Sequence, residues 1–484
     1  MNVITLVWIA LPLFVGFSIY LLPKLARILA LLVSLGSLAY GLWQTLAATP
    51  LTLELLDSFG VTLVSDSLSG FFVLTNALVT AAVVIYCWHS NKSAFFYTQV
   101  IILHGSVNAV FICADFISLY VALEVIGIAA FLLIAYPRTD RSIWVALRYL
   151  FVSNTAMLFY LIGAVLVYQS SHSFAYAGLQ QAPAEAIALL FLGVLSKGGI
   201  FISGLWLPLT HAESETPVSA MLSGIVVKAG VFPLIRWAMI VGELEPIIEI
   251  FSAGTAILGT SCAILEKDTK RMLAWSTISQ MGFVIAAPAV AGFYALTHGV
   301  AKAALFLTVG QLPSRSFQEL KQQPIHTHLW IVLMVASLSI SGFPLLAGFN
   351  AKASTLQQLG SSWHGTVMNV VAVGTVIAFA RFIFLPFRDD LGESHSWKVP
   401  AGFWLAVTLL IGVLMIASGL HSKDYTFVNL TKSLSKIGIG WMIYYFCFKD
   451  FVFQRQLPQA PENLDHLIGT MSLTLIVLFW LALP

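Results

Sequence analysis

An all-α polytopic membrane protein, with about 14 core transmembrane helices and one or two more at the C-terminus, is the fold this sequence predicts. Three observations predict it. Of 484 residues, 59% are hydrophobic and only 10% are charged, against about 25% charged in a soluble domain. The mean hydropathy is +0.90, so water is not the solvent for most of the surface. The apolar residues also fall into runs near the ~20 that a helix needs to cross a bilayer.

The runs lie near residues 3–22, 25–47, 69–89, 95–113, 115–137, 142–169, 184–208, 216–242, 246–266, 271–290, 292–312, 328–358, 363–386 and 400–420. Residues 1–22 have no basic stretch ahead of the apolar run and no small-residue cleavage site, so they read as a first retained span. Segment 464–483 is apolar enough to span. Segment 426–449 holds Lys432 and Lys436 and reads as either interfacial or spanning. Four segments follow: an N-terminal three-helix part (1–93), two repeats (94–245 and 246–390) and C-terminal helices (391–484).

Basic residues test this count. Loops after odd-numbered spans hold Lys24 and Arg27, Lys92, Arg138 and Arg141, Lys267, Lys270 and Arg271, Arg315 and Lys321, then Arg388 and Lys398. Loops after even-numbered spans hold almost none, with Arg236 the main exception; the loop between spans 7 and 8 carries only Glu213 and Glu215. This one-sidedness places the odd loops in the cytoplasm and the N-terminus outside. The net charge of +2 is too small to argue for nucleic acid. Cys87, Cys113, Cys262 and Cys447 are scattered with no CxxC pair, which argues against a disulfide framework and against zinc or Fe–S sites.

The chemistry must come from residues that break the apolar pattern. Glu124 sits at mid-depth of span 5, Lys197 deep in span 7 and Lys228 in span 8; Lys352 lies in span 12. His298 and Lys302 are four apart and share a helix face. A buried lysine costs about 2.5–3.5 kcal/mol on insertion scales, so these groups must be paired, hydrated or neutral. Snorkelling suits Lys302 or Lys352, which lie nearer helix ends, and does not suit Glu124, Lys197 or Lys228; His104 and Cys113 read as packing residues. Asp66, Asp115 and Glu185 lie near helix ends and read as surface or entrance groups. A lysine in a semi-dry cavity is driven neutral by desolvation and charged by a nearby carboxylate, which suits a proton relay. The expectation is a separable Glu124–Lys197 pair that exchanges a proton among Lys197, Lys228, His298 and Lys352, implying an ion- or proton-translocating subunit.

Glycine and proline cluster beside two of these lysines: Gly198, Gly199 and Pro208 near Lys197, and Pro344 and Gly348 near Lys352. Such clusters let a membrane helix break where protein or water satisfies the freed backbone. The breaks fall in spans 7 and 12, five spans apart. An odd-numbered unit must insert its copies in opposite orientations, so spans 4–8 and 9–13 are expected to form two inverted repeats around a transport site.

These residues together resemble the antiporter-like subunits shared by respiratory complex I and the Mrp-type multisubunit sodium/proton antiporters, over residues 60–390. Glu124 in DFISLYVALEV, SKGGIFISGLWLP, HAESETPVSAMLSGIVVKAGVFPLIR, KDTKRMLAWSTISQMGF, HGVAKAALFL and SGFPLLAGFNAK carry the resemblance, in order. It implies fourteen helices with helices 7 and 12 broken and a hydrophilic axis. The family's functional glutamate maps to Glu124, its central lysines to Lys197 and Lys228, its later His and Lys to His298 and Lys302, and its terminal ionisable residue to Lys352. Two departures stand out: Leu123 occupies a position usually held by tryptophan, and WLPLTHAESETP lacks an acid often found after its LP.

The chain lacks the long lateral C-terminal helix of one complex I subunit, and TKSLSKIGIGWMIYYFCFKD looks like the D-type Mrp subunit. The resemblance therefore implies a proton-translocating subunit of a sodium/proton antiporter, with other membrane subunits, protons and sodium as partners, in a bacterial plasma membrane or another energy-transducing membrane. The alternatives it leaves are a pumping subunit of a complex-I-type NAD(P)H or ferredoxin:quinone oxidoreductase and the membrane subunit of an inorganic-carbon uptake complex. No GxGxxG fingerprint, Walker A loop or cysteine cluster is present, so no cofactor and no catalytic centre of its own is expected.

Overall fold

A computed structural model describes residues 2–47, 49–55, 60–389, 399–449 and 463–482. Lys398 of the sequence argument lies outside the described residues. The first spans are α1 (Asn2–Leu21), α2 (Ala26–Leu46), α3 (Ser67–Tyr86), α4 (Ala94–Ile112), α5 (Phe116–Ile134) and α6 (Asp140–Ser171). An antiparallel hairpin, β1 (Leu51–Glu54) and β2 (Thr62–Ser65), separates α2 from α3. Span 7 is α7 (Ala184–Gly198) plus α8 (Leu207–Glu213), and span 8 is α9 (Thr216–Met221) running through a π-turn into α10 (Val227–Ile240). Then come α11 (Glu245–Leu265), α12 (Thr269–Ala286), α13 (Ala291–Val309) and a short α14 (Phe317–Gln322). Span 12 is α15 (Thr327–Ser341) plus α16 (Ala347–Leu359), and α17 (Trp363–Ile383), α18 (Ala401–Leu420), α19 (Phe427–Ile443) and α20 (Leu464–Ala482) complete the chain.

Thirteen helical segments among the described residues are long and apolar enough to cross a bilayer. Span 10 (α12), the halves of span 12 and α19 fall outside that number because they carry more polar residues or are short. Carboxylates start several spans. Asp66, Asp115 and Asp268 cap α3, α5 and α12 by accepting from Ser69 N, Ser118 N and Arg271 N at 2.9, 2.7 and 2.9 Å, satisfying amides that a helix start leaves free. Asp115 is therefore a correction to the sequence reading. It is fully buried, because the hairpin folds over it and Thr62 N also donates to its carboxylate at 3.0 Å. Asp66 is partly buried, and Glu185 is exposed as expected.

Spans 7 and 12 break in the same way. Gly199 and Gly342 take left-handed backbone (φ +65° and +89°) directly after α7 and α15. In each, the glycine N–H returns to the carbonyl three residues back, and the next N–H reaches five back: Ile200 to Leu195 and Phe343 to Leu338. That is the Schellman arrangement, which a residue without Cβ adopts without strain. A second left-handed residue follows each break, Phe201 and Leu345. The two breaks thus share a backbone signature at five-span separation, as expected for inverted repeats. The sequence reading placed the breaks a little differently. Gly199 is the left-handed residue of the first break and Pro344 lies in the second beside Gly342, while Gly198 is the last residue of α7 and Pro208 and Gly348 sit in the first turns of α8 and α16.

The basic loops lie together on the face opposite the N-terminus, and the acidic loop between spans 7 and 8 fits among them. Lys92 pairs with Glu215 at 2.5 Å and Arg141 with Glu213 at 3.5 Å. Segment 426–449 connects the two faces. Tyr425, just before α19, hydrogen-bonds Leu345 N and Ser418, while Lys449 O at its other end accepts from Lys321. Between them α19 runs beside α17, with Gly440 against Val376 and Tyr444 stacked on Phe384. With its π-turn it spans residues 427–448, about 33 Å at 1.5 Å per residue, so it runs the thickness of the bundle.

Candidate functional site

The ionisable residues that interrupt the apolar spans fall into two close pairs, partly buried Glu124 with buried Lys197 and buried Lys228 with buried His298, with Lys302 and Lys352 also buried. Lys197 Nζ lies 3.9 Å from Glu124 Oε1 and donates to Leu123 O at 3.0 Å. The pair is asymmetric: the lysine side chain is 4% exposed and the glutamate 23%. Gly127, one turn on from Glu124, makes room. A Cβ there would stand 3.0 Å from Lys197 Nζ and 3.5 Å from Ser153 Oγ. Glu124 Oε1, Ser153 Oγ, Asn154 Oδ1 and Ser196 Oγ are buried without a hydrogen-bond partner in the protein. Unpartnered buried polar atoms gathered around a charge fit a hydrated pocket.

Spans 7 and 8 cross at close range. A Cβ on Gly230 would sit 2.1 Å from Gly198 N, so only glycine permits the crossing that sets Lys197 and Lys228 on adjoining helices. Lys228 is fully buried. Its Nζ donates to Ser223 O at 3.2 Å and meets His298 Nδ1 at 3.1 Å. The π-turn at Leu222–Val226 widens the helix just before Lys228; such bulges often mark functional positions. Ser223 Oγ in turn contacts Thr277 Oγ1 at 2.7 Å.

Lys302 is also fully buried, which corrects the expectation that it snorkels. Its ammonium donates to Leu273 O at 2.8 Å and to Ser276 Oγ, over the Phe379 ring. His298 Nε2 points away from Lys228 without a protein partner. Beside it lies a cavity of about 10 Å³ lined by Gln280, Tyr294, Ser339 and Gly348, close to the size that holds one water. Tyr294 donates to Gln280 at 2.8 Å, while the hydroxyls of Ser337, Ser339 and Ser341 have no partner. Ser341 opens next to Lys352. That lysine is 6% exposed, its Nζ has no hydrogen-bond partner, and it sits 5.2 Å over the Phe283 ring. It too does not reach the surface along its own helix; it lines a cavity of about 570 Å³ shared with Lys423, Lys432 and Lys436.

Sequence reasoning missed the serines, threonines, Gln280 and Tyr294, which carry no charge to mark them. It missed His211 as well, buried in α8 against Phe306 with both ring nitrogens unpartnered. Its signal was a histidine three residues after Pro208. It also missed His364, fully buried 3.8 Å from Glu249 and 2.9 Å from Ser252 Oγ. His104, read as packing, is held by Thr80, Ser37 and Asn108 in a closed network. Among the described residues no cluster of His, Cys, Asp and Glu is arranged to hold a metal ion.

A family model described as NADH:quinone oxidoreductase/Mrp antiporter, transmembrane, matches residues 113–378. The chain is 26% identical over 458 residues to the D-type subunit of the Na(+)/H(+) antiporter of Alkalihalophilus pseudofirmus, covering 86% of this chain and 93% of that one. It is 26% identical over 473 residues to NAD(P)H-quinone oxidoreductase chain 4 1 of Synechococcus elongatus, covering 86% and 88%. In fold it is similar to a chain of the Mrp complex from Dietzia sp., with TM-score 0.79 and 21% identity over 96% of this chain and 59% of that one. It is also similar to a chain of an archaeal membrane-bound sulfane sulfur reductase, with TM-score 0.76 and 19% identity over 92% and 99%.

Proposed function

The chain belongs to the NADH:quinone oxidoreductase/Mrp antiporter transmembrane family, and from that premise we propose that it is a proton-translocating subunit of a multisubunit sodium/proton antiporter. The observation that carries the reading is this set of ionisable residues, from Glu124 to Lys352. Each ammonium in it has polar neighbours, and among the described residues only that of Lys197 has a carboxylate within 4 Å. Glu124 holds a proton's charge on Lys197. When that pair loosens, the charge is favoured on Lys228, where His298 Nδ1 accepts. The Gln280–Tyr294 cavity then joins His298 to the serines of span 12 and to Lys352. Each site can be charged only at a cost to its neighbour, so protons advance without two adjacent lysines being charged together. In this reading the basic face is cytoplasmic, the N-terminus lies outside, and the protein sits in a bacterial plasma membrane beside other membrane subunits.

The test has two parts. Mass spectrometry of the native complex in mild detergent should find small hydrophobic subunits and no flavin or Fe–S protein. Vesicles bearing the complex should then change internal pH on a sodium pulse, and K197A or E124Q should abolish that response with the complex still assembled. Unchanged pH responses in both variants would sink the relay. A second reading, a pumping subunit of a quinone oxidoreductase, is favoured by the equal 26% identity to the NAD(P)H-quinone oxidoreductase chain. Its mark is a co-purifying arm with Fe–S clusters and a pH response that follows electron flow instead of sodium.

A further inference from the structure

A large, strongly basic cavity opens around Lys352, between α16, α17 and α19. Its volume is about 570 Å³, and Lys352, Lys423, Lys432 and Lys436 all line it. No aspartate or glutamate lines it among the described residues. A neighbouring carboxylate, Asp424, is turned aside, and both its oxygens accept from Ser354 at 3.1 Å. Four ammonium groups around one space repel one another and favour an anion between them. Lys352 Nζ supplies an independent sign of a missing partner: it is almost wholly buried, lines this space and has no hydrogen-bond acceptor in the protein.

From this geometry we propose that the cavity binds a phosphate group, carried by an anionic phospholipid. The depth fits. Lys432 and Lys436 lie within three turns of the α19 N-terminus at Phe427, and Lys423 stands just ahead of it, so flexible lysine stems reach headgroup level. The mouth fits a lipid better than a free anion. Val428, which lines the cavity, is 57% exposed, its chain neighbour Phe427 is 83% exposed, and Val370, next in sequence to the lining residue Asn369, is 68% exposed. These side chains give acyl chains an apolar track. Asn369 and Asn429 line the wall and offer amide donors to phosphate oxygens or the glycerol. This site goes beyond the antiporter reading and stands or falls without it.

The experiment is native mass spectrometry of the intact complex titrated with dioleoylphosphatidylglycerol or dioleoylphosphatidylcholine. The expected result is preferential retention of the anionic lipid. K432Q with K436Q should weaken it about thirty-fold, taking about 1 kcal/mol of attraction per basic side chain near an anionic lipid. K432R with K436R should retain binding, and unchanged co-purification of the neighbouring subunits shows that both variants assemble. Equal retention of the two lipids, or undiminished phosphatidylglycerol binding by the glutamine variant, would overturn the site. Inorganic phosphate that displaces the lipid with the same loss in the variant supports phosphate recognition but overturns lipid as its carrier. Carbodiimide coupling of Lys432 or Lys436 to a carboxylate of a co-purifying protein overturns the proposal in favour of a protein contact.

Discussion

The two broken spans use one backbone device and arm it differently. α7 and α15 both end on a left-handed glycine with the same pair of returning hydrogen bonds. In span 7 the lysine precedes the break, on the last turn of α7, and faces Glu124 at 3.9 Å. In span 12 the lysine follows the break, in the second turn of α16, and its cavity is lined by further lysines. Lys197 thus has a carboxylate to part from, whereas Lys352 has none within 4 Å among the described residues and shares its space with other amines. The largest expected effect tests that contrast. K197A should cut sodium-driven proton movement about 10²-fold, the scale of a lost proton-transfer group. E124Q should do the same, and the double variant should be no worse than either single, because the two act as one unit. Additive losses in vesicle pH measurements would break the comparison at its first half.

The next largest effect sharpens the comparison at the breaks themselves. An alanine at Gly199 keeps an unfavourable φ, and its Cβ falls 2.2 Å from Leu207 Cδ1. At Gly342 the φ is equally unfavourable, but the nearest atom is Lys352 Cδ at 3.1 Å, on a side chain that can swing aside. Positive φ costs about 1–3 kcal/mol for a residue with a side chain, and overpacking adds about as much. G199A should therefore destabilise by about 3 kcal/mol and G342A by about 1 kcal/mol, read as thermal unfolding in detergent. G342A should nevertheless slow transport, since it moves Lys352. Equal unfolding shifts would show that the two breaks are packed alike.

How much of this was legible follows from what a sequence makes conspicuous. Glu124, Lys197 and Lys228 stand out because a charge in an apolar run has no cheap explanation; the structure pairs the first two and sets Lys228 on the helix that crosses α7. The hydroxyls near Lys228 and His298 do not stand out. Ser223, Thr277 and Ser339 are ordinary residues in membrane helices, where they often bond to their own backbone, and only the meeting of remote spans gives them their place there. Lys302 was expected to snorkel because its depth was judged along one helix; its acceptors, Leu273 O and Ser276, come from another. Asp115 was read as a surface group because the hairpin that buries it is fifty residues away in sequence. Lys432 and Lys436 argued for an interfacial helix, and the cavity that takes them in is built by α16 and α17. The breaks were legible as glycine-rich clusters, though which glycine turns left-handed depends on the last returning hydrogen bonds of each helix.

The smallest effect concerns the arginines near the ends of spans 8 and 13, which lie five spans apart. Arg236 grips Asp66 with both nitrogens, at 2.5 and 2.6 Å, and Ser69 Oγ at 2.8 Å. Arg381 instead donates to the carbonyls of Ile264 and Glu266 and lies 3.9 Å over the Phe317 ring. Burial opposes ionisation of Asp66, but the hydrogen bonds and charge of Arg236, with Ser69 N–H, outweigh it and hold the carboxyl below the ordinary aspartate value. A carboxyl whose folded pKa is depressed contributes stability that is complete above the unfolded value, about 3.9, and is lost as pH falls through the lower folded one. Unfolding midpoints in detergent should therefore decline on the acid side of about pH 4 in the wild type and decline less steeply in D66N, which starts lower at neutral pH. F317A, which strips the aromatic face from Arg381, should lower the midpoint by a similar amount at every pH. An acid slope in D66N as steep as in the wild type would mean that the Arg236 clamp contributes no pH dependence and that the two arginines are equivalent in kind.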